Sequence, residues 1–317
     1  MRLITTDHDW SGSRLSLYSY QAHSHRGESA IATLVDLGVA VMKVGGSGST
    51  SPVAGGGAAA AAAGRAGGSG AAEALTLVTR AERGVFSSVS IDTPLELDGY
   101  SSRFLVVPLC FGHLNSPEPR KFVAAALSNQ PLSIETVELP PAQLATSMIE
   151  IALHHGEKQT LLNHPMLGPM LNLYTVDDEA GYALVAENPT QFRVRVEVDA
   201  SERTRGFTSS RGALFCQDVL PPRSRQLIIV LSLSMKTKSH SLSMQFGGGV
   251  LEPTEHVPDG AGHIPSLAEQ GALAPLHEPQ PMLNSAPAGM GWQPQPVSAA
   301  PVDVAALASS ILSQMKR

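Results

Sequence analysis

Residues 192–198, Phe-Arg-Val-Arg-Val-Glu-Val, alternate apolar and polar side chains without a break. A period of two puts Phe192, Val194, Val196 and Val198 on one face and Arg193, Arg195 and Glu197 on the other. That is the pattern of an antiparallel strand with one face on a core and one in water. Further strand-like runs occupy 14–20 (RLSLYSY), 85–91 (VFSSVSI), 121–127 (KFVAAAL), 170–176 (MLNLYTV), 181–188 (GYALVAEN) and 225–234 (RQLIIVLSLS). RFLVVPLCF (103–111) is almost continuously apolar and follows a turn signal at Asp98-Gly99. Inside this strand-rich region one segment carries a strong helical period. It begins after Pro140-Pro141 and runs to about His155, with Leu144, Met148, Ile151 and Ala152 on one face and Gly156 to end it. Many strands and one helix argue for antiparallel, β-sandwich-like layers and against an alternating βαβ enzyme fold.

Two stretches read differently. Residues 45–74 are Gly/Ala/Ser low complexity with almost nothing to bury, which implies a disordered insertion in a loop. Residues 247–317 are a Pro-rich tail, read as disordered because proline at this density removes backbone donors and breaks helix and sheet alike. Its last segment differs: Val304, Leu307, Ile311, Leu312 and Met315 fall on one face of a short terminal helix. The division expected is therefore a first β-rich half (1–44 plus 75–115), the insertion, a second β-rich half with the helix near 141–155 (116–246), and the tail.

Composition narrows the function. A net charge of −6 and no uninterrupted Lys/Arg cluster argue against a nucleic-acid partner. No run of about 18 apolar residues marks a membrane span. The N-terminal residues have no apolar signal core. Two cysteines, Cys110 and Cys216, cannot staple a chain of 317 residues. A reducing, cytoplasmic compartment is the expectation.

The motifs that carry chemistry are missing. There is no G-x-x-x-x-G-K-[ST] or G-x-G-x-x-G between a strand and a helix, and no G-x-S-x-G. His154 and His155 are adjacent, so on a helix they point about 100° apart and cannot easily share an ion with His164; they suit a helix C-terminus instead. His23 and His25 sit in a polar loop. Asp177-Asp178-Glu179 lacks the ligand spacing of a calcium loop and reads as a hairpin turn between 170–176 and 181–188. Cys110 has His113 three residues on, but its apolar run makes it a core thiol, and Cys216 in GALFCQD reads the same way. No metal, cofactor or catalytic residue is expected.

A resemblance gives this absence a cause. The stretch 181–234 closely resembles the C-terminal region of small-optic-lobes-type calpains. It shares an S-R-G-x-L turn (Ser210, Arg211, Gly212, Leu214), Gln217-Asp218, Pro221-Pro222, Arg225-Gln226 and Val230-Leu231-Ser232. Residues 95–115 resemble that family's L-x-P-G-E-Y-x-V-V-C-x-A-F-N-H segment, with Asp98 in place of the proline and Gly112-His113 in place of Asn-His. Residues 9–21 align more loosely. The resemblance spans roughly 1–44 and 75–246.

Such calpains are intracellular cysteine peptidases with N-terminal zinc fingers, a papain-like core and this C-terminal region. The core supplies the catalytic Cys, His and Asn, and its motifs are absent here, as are the zinc-finger cysteines. The resemblance thus implies a non-catalytic regulatory or interaction module with a protein partner, a calpain-type peptidase core among the candidates. The other reading it leaves is the C-terminal fragment of an intracellular calpain-type cysteine endopeptidase. Arg211, Asp218 and Arg225 are the candidate interaction surface. The alternative is that Arg211-Gly212 shapes a turn while Asp218 and Arg225 pair across the loop held by Pro221-Pro222.

Overall fold

In the computed structural model the described residues are 2–5, 14–21, 36–45, 75–85, 88–96, 103–112, 122–128, 132–234, 239–251 and 275–282. Among them the chain is mainly β, with seventeen strands and one α-helix, and every strand pairing is antiparallel. The strands form two sandwiches placed back to back.

The first sandwich has a five-stranded sheet ordered β4 (Leu75–Gly84), β3 (Leu37–Val44), β6 (Arg103–Leu109), β1 (Arg2–Thr5), β8 (Leu132–Glu135). A three-stranded sheet, β5 (Ser88–Glu96), β2 (Arg14–Gln21), β7 (Phe122–Ser128), covers its outer face. In the second sandwich the main sheet runs β13 (Phe207–Ser209), β15 (Ser224–Leu233), β11 (Gly181–Asn188), β10 (Gly168–Asp178), β9 (Glu157–His164). A two-residue strand, β17 (Gln280–Pro281), also joins β15. The outer sheet of this sandwich is β14 (Phe215–Leu220), β12 (Arg193–Asp199), β16 (Gln245–Leu251).

The helix α1 (Pro141–His155) lies between the two large sheets. Its first residue is proline, whose missing N–H is no loss at that position. A helix between two sheets must be apolar on more than one face, and Ala145, Met148, Ile149, Ile151 and Ala152 are all buried. Ser147 is buried with them because its hydroxyl donates to the Gln143 carbonyl at 3.0 Å. Of the expected face, Met148, Ile151 and Ala152 are in the core, and Leu144 packs at its margin. The helix ends where Gly156 N–H donates to the Ala152 carbonyl.

This layering explains which strands alternate and which do not. In β3, Ala40, Met42 and Val44 point at the helix layer, while Val39 and Val41 point at the outer sheet. In β6, Leu105, Val107 and Leu109 divide from Phe104 and Val106 in the same way. In β11, Ala183 and Val185 divide from Leu184 and Ala186. Strands covered on both faces therefore read as continuous apolar runs. The outer β12 has one covered face, so Val194, Val196 and Val198 are buried and the residues between them are more open.

Three expectations need correction. Phe192 precedes β12 and is 44 % exposed, so it is not part of the inward set. The strand near VFSSVSI starts at Ser88 and continues to Glu96, with Val85 outside it. Residues 247–251 are not a non-globular start to the tail, because they form most of β16 and pair with β12. Their glycines permit a close approach: a Cβ on Gly248 would lie 2.9 Å from Leu171 Cδ2 and 3.2 Å from the Arg195 carbonyl oxygen. Residues 275–282 of the same stretch are also placed, with Leu276 and His277 fully buried. Asp98-Gly99, most of the Gly/Ala insertion, the rest of the tail and its terminal helix lie outside the described residues.

Candidate functional site

Arg211, Asp218 and Arg225 enter two separate polar networks. β13 runs beside β15, and the next residue keeps contact with it: Ser210 N–H donates to the Val230 carbonyl at 2.9 Å, and Val230 N–H donates to Ser210 Oγ at 2.8 Å. The chain then turns. Gly212 takes φ +73°, a left-handed conformation that costs glycine little, and its N–H donates to the Ser209 carbonyl at 3.1 Å. The turn aims the Arg211 side chain inward. Its Nε donates to the Ile228 carbonyl at 2.5 Å, and its two terminal nitrogens fork onto the carboxylate of Asp218 on β14. Arg211 is 7 % exposed, so it is a pin between the β13–β14 turn and the strands around it.

Asp218 passes the connection on. It accepts from Gln226 Nε2 at 2.8 Å, and the same nitrogen donates to the His277 carbonyl at 2.7 Å. Desolvation raises the Asp218 carboxyl, with Arg211 pulling in the opposite direction. His277 lies over β15 with Nδ1 2.7 Å from the Leu227 carbonyl, which places the ring proton on that nitrogen. Burial, reinforced by the Arg211 charge, drops the His277 pKa from 6.5 to about 3, so this ring is neutral.

Arg225 belongs to the second network. It does not pair with Asp218; its Nε donates to Glu187 Oε2 on β11 at 2.8 Å. Glu187 Oε1 also accepts from Asn172 at 3.0 Å and from the Tyr174 hydroxyl at 3.2 Å. Burial opposes ionisation of Glu187, but bonds from Arg225, Asn172 and Tyr174 outweigh it and hold the carboxyl below its ordinary value. Arg225 keeps 22 % of its side chain exposed. The Pro221-Pro222 turn is held by other groups: Asn188 Nδ2 donates to the Phe192, Leu220 and Pro221 carbonyls, and Ser224 Oγ donates to Pro221.

A third polar cluster joins the two sandwiches. Arg83 on β4 donates through Nε to Asp178 at 3.2 Å and through Nη1 to Asp36 at 3.1 Å and Ser232 at 3.2 Å. Arg80 reaches the other oxygen of Asp178 at 2.8 Å. Asp36 also accepts from the Phe111 and Gly112 amides. The backbone adds Ala180 N–H to the Arg83 carbonyl at 3.0 Å. Asp178 therefore acts from the expected hairpin turn as an ion-pair partner, not as a cation ligand. Nothing in the sequence around Arg83 signals this, because a buried arginine is legible only once its carboxylates are placed.

The remaining candidates are inert or scattered. Burial pushes the Cys216 thiol up to about 12, far from the range in which a thiolate attacks. Cys110 follows β6 and is half-buried, so it is not the core thiol expected of it, and His113 lies outside the described residues, as do His23 and His25. His154 sits 3.8 Å from Glu150 one helical turn back. His155 is lowered by burial and by Arg80. His164 accepts from the Met166 and Leu167 amides in the β9–β10 hairpin. Among the described residues no three His, Cys, Asp or Glu side chains gather as a metal site, and no helix is long and apolar enough to cross a membrane.

The most elaborate arrangement is thus a groove between α1 and β15, with the Arg211–Asp218–Gln226 chain along its strand side and residues 275–282 lying in it. Comparison with known proteins bears on the same region. Residues 151–251 match the family model for the calpain-D-like C-terminal domain. The match runs from the last turn of α1 through β16 and so takes in nearly the whole second sandwich. No solved structure matches the chain.

Proposed function

With a calpain-D-like C-terminal region in place over residues 151–251, we propose that this chain is a non-catalytic regulatory or protein-interaction module whose partner is a calpain-type peptidase core. The family match over the second sandwich carries the reading. The chemistry of the interior supports it. Arg211, Asp218, Arg83 and Asp178 are spent on one another, and the buried Cys216 thiol is held at about 12. Of the three residues in the candidate interaction surface, Arg225 keeps the most exposed side chain.

The same match favours a second reading, in which the chain is the C-terminal fragment of an intracellular, small-optic-lobes-type cysteine endopeptidase. The two readings divide on the transcript. An in-frame papain-like core upstream of Met1 supports the fragment, and a stop codon with a promoter there supports a separately encoded module. For the module itself, the purified chain is mixed with a separately expressed calpain-D-type core. A stable complex and no hydrolysis of casein by the chain alone, with or without calcium, are expected. Casein hydrolysis by the chain that Cys110→Ala abolishes would overturn the non-catalytic reading.

A further inference from the structure

We propose that the groove between α1 and β15 is a binding site for a short peptide, and that Pro275–Met282 is its resident ligand, held in cis and exchangeable. The segment crosses the second sandwich on its helix-facing side. It extends the main sheet by two residues only, Gln280 and Pro281 opposite Arg225 and Ser224, and Met282 N–H donates to the Arg223 carbonyl at 2.9 Å. Strand addition with side chains in pockets is a recurring way to recognise a peptide.

The pockets here read particular side chains. Leu276 is fully buried in the core cluster that α1, β11 and β15 share. His277 gives its ring proton to the Leu227 carbonyl and accepts from Gln226 on its own carbonyl. The Gln280 amide is read at both ends by the helix: Thr146 Oγ1 donates to Gln280 Oε1 at 2.9 Å, and Gln280 Nε2 donates to the Ala142 carbonyl at 2.9 Å. A glutamate could not make the second bond, and an alanine would make neither. The ligand class is therefore a Leu-His-x-x-Gln peptide that sets Leu276 and His277 in one tight helical turn and Gln280 in a two-residue strand.

Two further observations separate the ligand from its site. The groove has its own supports, since Gln226 is held by Asp218 and Asp218 by Arg211. The family match ends at residue 251, before the ligand segment, yet it includes the whole strand side of the groove. Pro275, Pro279 and Pro281 limit the freedom the segment loses on docking. A ligand carried on the same chain is present at a local concentration of about millimolar, so the site in the intact chain is filled by its own ligand.

The test uses a fluorescent peptide of residues 273–284 and the full-length chain. Against Leu276→Asp, which cannot bury its own segment, fluorescence anisotropy should show saturable binding, at least about tenfold tighter than to the wild type. A peptide carrying Gln280→Ala should not compete. No binding to a folded Leu276→Asp chain, or equal binding to both chains, overturns the proposal. If Leu276→Asp does not fold, a full-length chain with a protease site within 252–274 replaces it. After cleavage the C-terminal fragment should leave on dilution and be displaced by the peptide. A fragment that stays bound until global unfolding overturns exchangeability, and a segment-swapped dimer of the wild type overturns occupancy in cis. None of these outcomes depends on a peptidase partner.

Discussion

Acidification should release Pro275–Met282 before it unfolds the protein, through His277. The free imidazole has an ordinary value of 6.5, and in the groove it is lowered to about 3 by burial and by Arg211. Between these values the released segment binds a proton that the docked one does not, so docking is fully present above pH 6.5 and weakens as pH falls toward 3. Each unit is worth about 1.4 kcal/mol, and the change from pH 7 to pH 5 comes to roughly 2 kcal/mol, or about 25-fold in the docking equilibrium. The charged groups near the ring are Arg211 and its partner Asp218, and Arg211 opposes protonation. Hydrogen exchange of peptides covering 275–282, corrected for the intrinsic effect of pH, measures the release. His277→Asn is the control, because its amide can still donate to Leu227 but does not titrate. Glu150, His155 and Asp218 also have shifted values and are present in both chains, so the difference between wild type and variant reports on His277. Equal loss of protection in the two chains between pH 7 and pH 5 would rule out His277 as the cause of release.

Other perturbations test the rest of the architecture. Arg83→Met removes the cation between Asp36 and Asp178, both buried, and should cost about 3–5 kcal/mol in urea denaturation, the usual consequence of stranding buried charge. Gly248→Ala should cost about 1–3 kcal/mol by pressing a methyl against Leu171 and the Arg195 carbonyl; an unchanged melting temperature would contradict the close approach of β16. Cys216, with its thiol raised to about 12, should resist a thiol reagent at pH 8 in the native protein and react once denaturant is added.

Much of the fold was legible because period and burial coincide. β12, the one-sided outer strand, alternates, and α1 has a helical period closed by prolines and a glycine. β3 and β4 lie beside low-complexity residues 45–74, and neither shows a clean alternation: β3 is buried on both faces, and β4 carries Arg80 and Arg83 inward. β9 is mostly polar because it is an edge strand. β16 was hidden by its glycines, whose packing role depends on a neighbour far away in sequence. The groove was half legible. Ser210, Arg211, Asp218, Arg225 and Gln226 stand out as a motif, but the pairing of Arg211 with Asp218 and of Arg225 with Glu187 depends on strand register. His277 and Gln280 carry no signal in a Pro-rich context until the helix reads them.

The Arg211–Asp218 pair poses a last energetic question, because a buried ion pair is often no more stabilising than apolar side chains of similar size. Its attraction is offset by the cost of taking both groups out of water, and burial does oppose the charge on Asp218. What apolar replacements cannot do is hold the Gln226 amide, which Asp218 orients toward the His277 carbonyl. The double replacement Arg211→Met with Asp218→Leu should therefore change global stability by only about 1–2 kcal/mol in either direction. It should nevertheless raise exchange in residues 275–282, since Gln226 loses its anchor and His277 loses a positioned donor. Asp218→Leu alone strands the Arg211 guanidinium and should cost more globally, about 3–5 kcal/mol. If the double replacement leaves protection of the segment untouched, the pair is a local pin for the β13–β14 turn and has no part in holding the peptide groove.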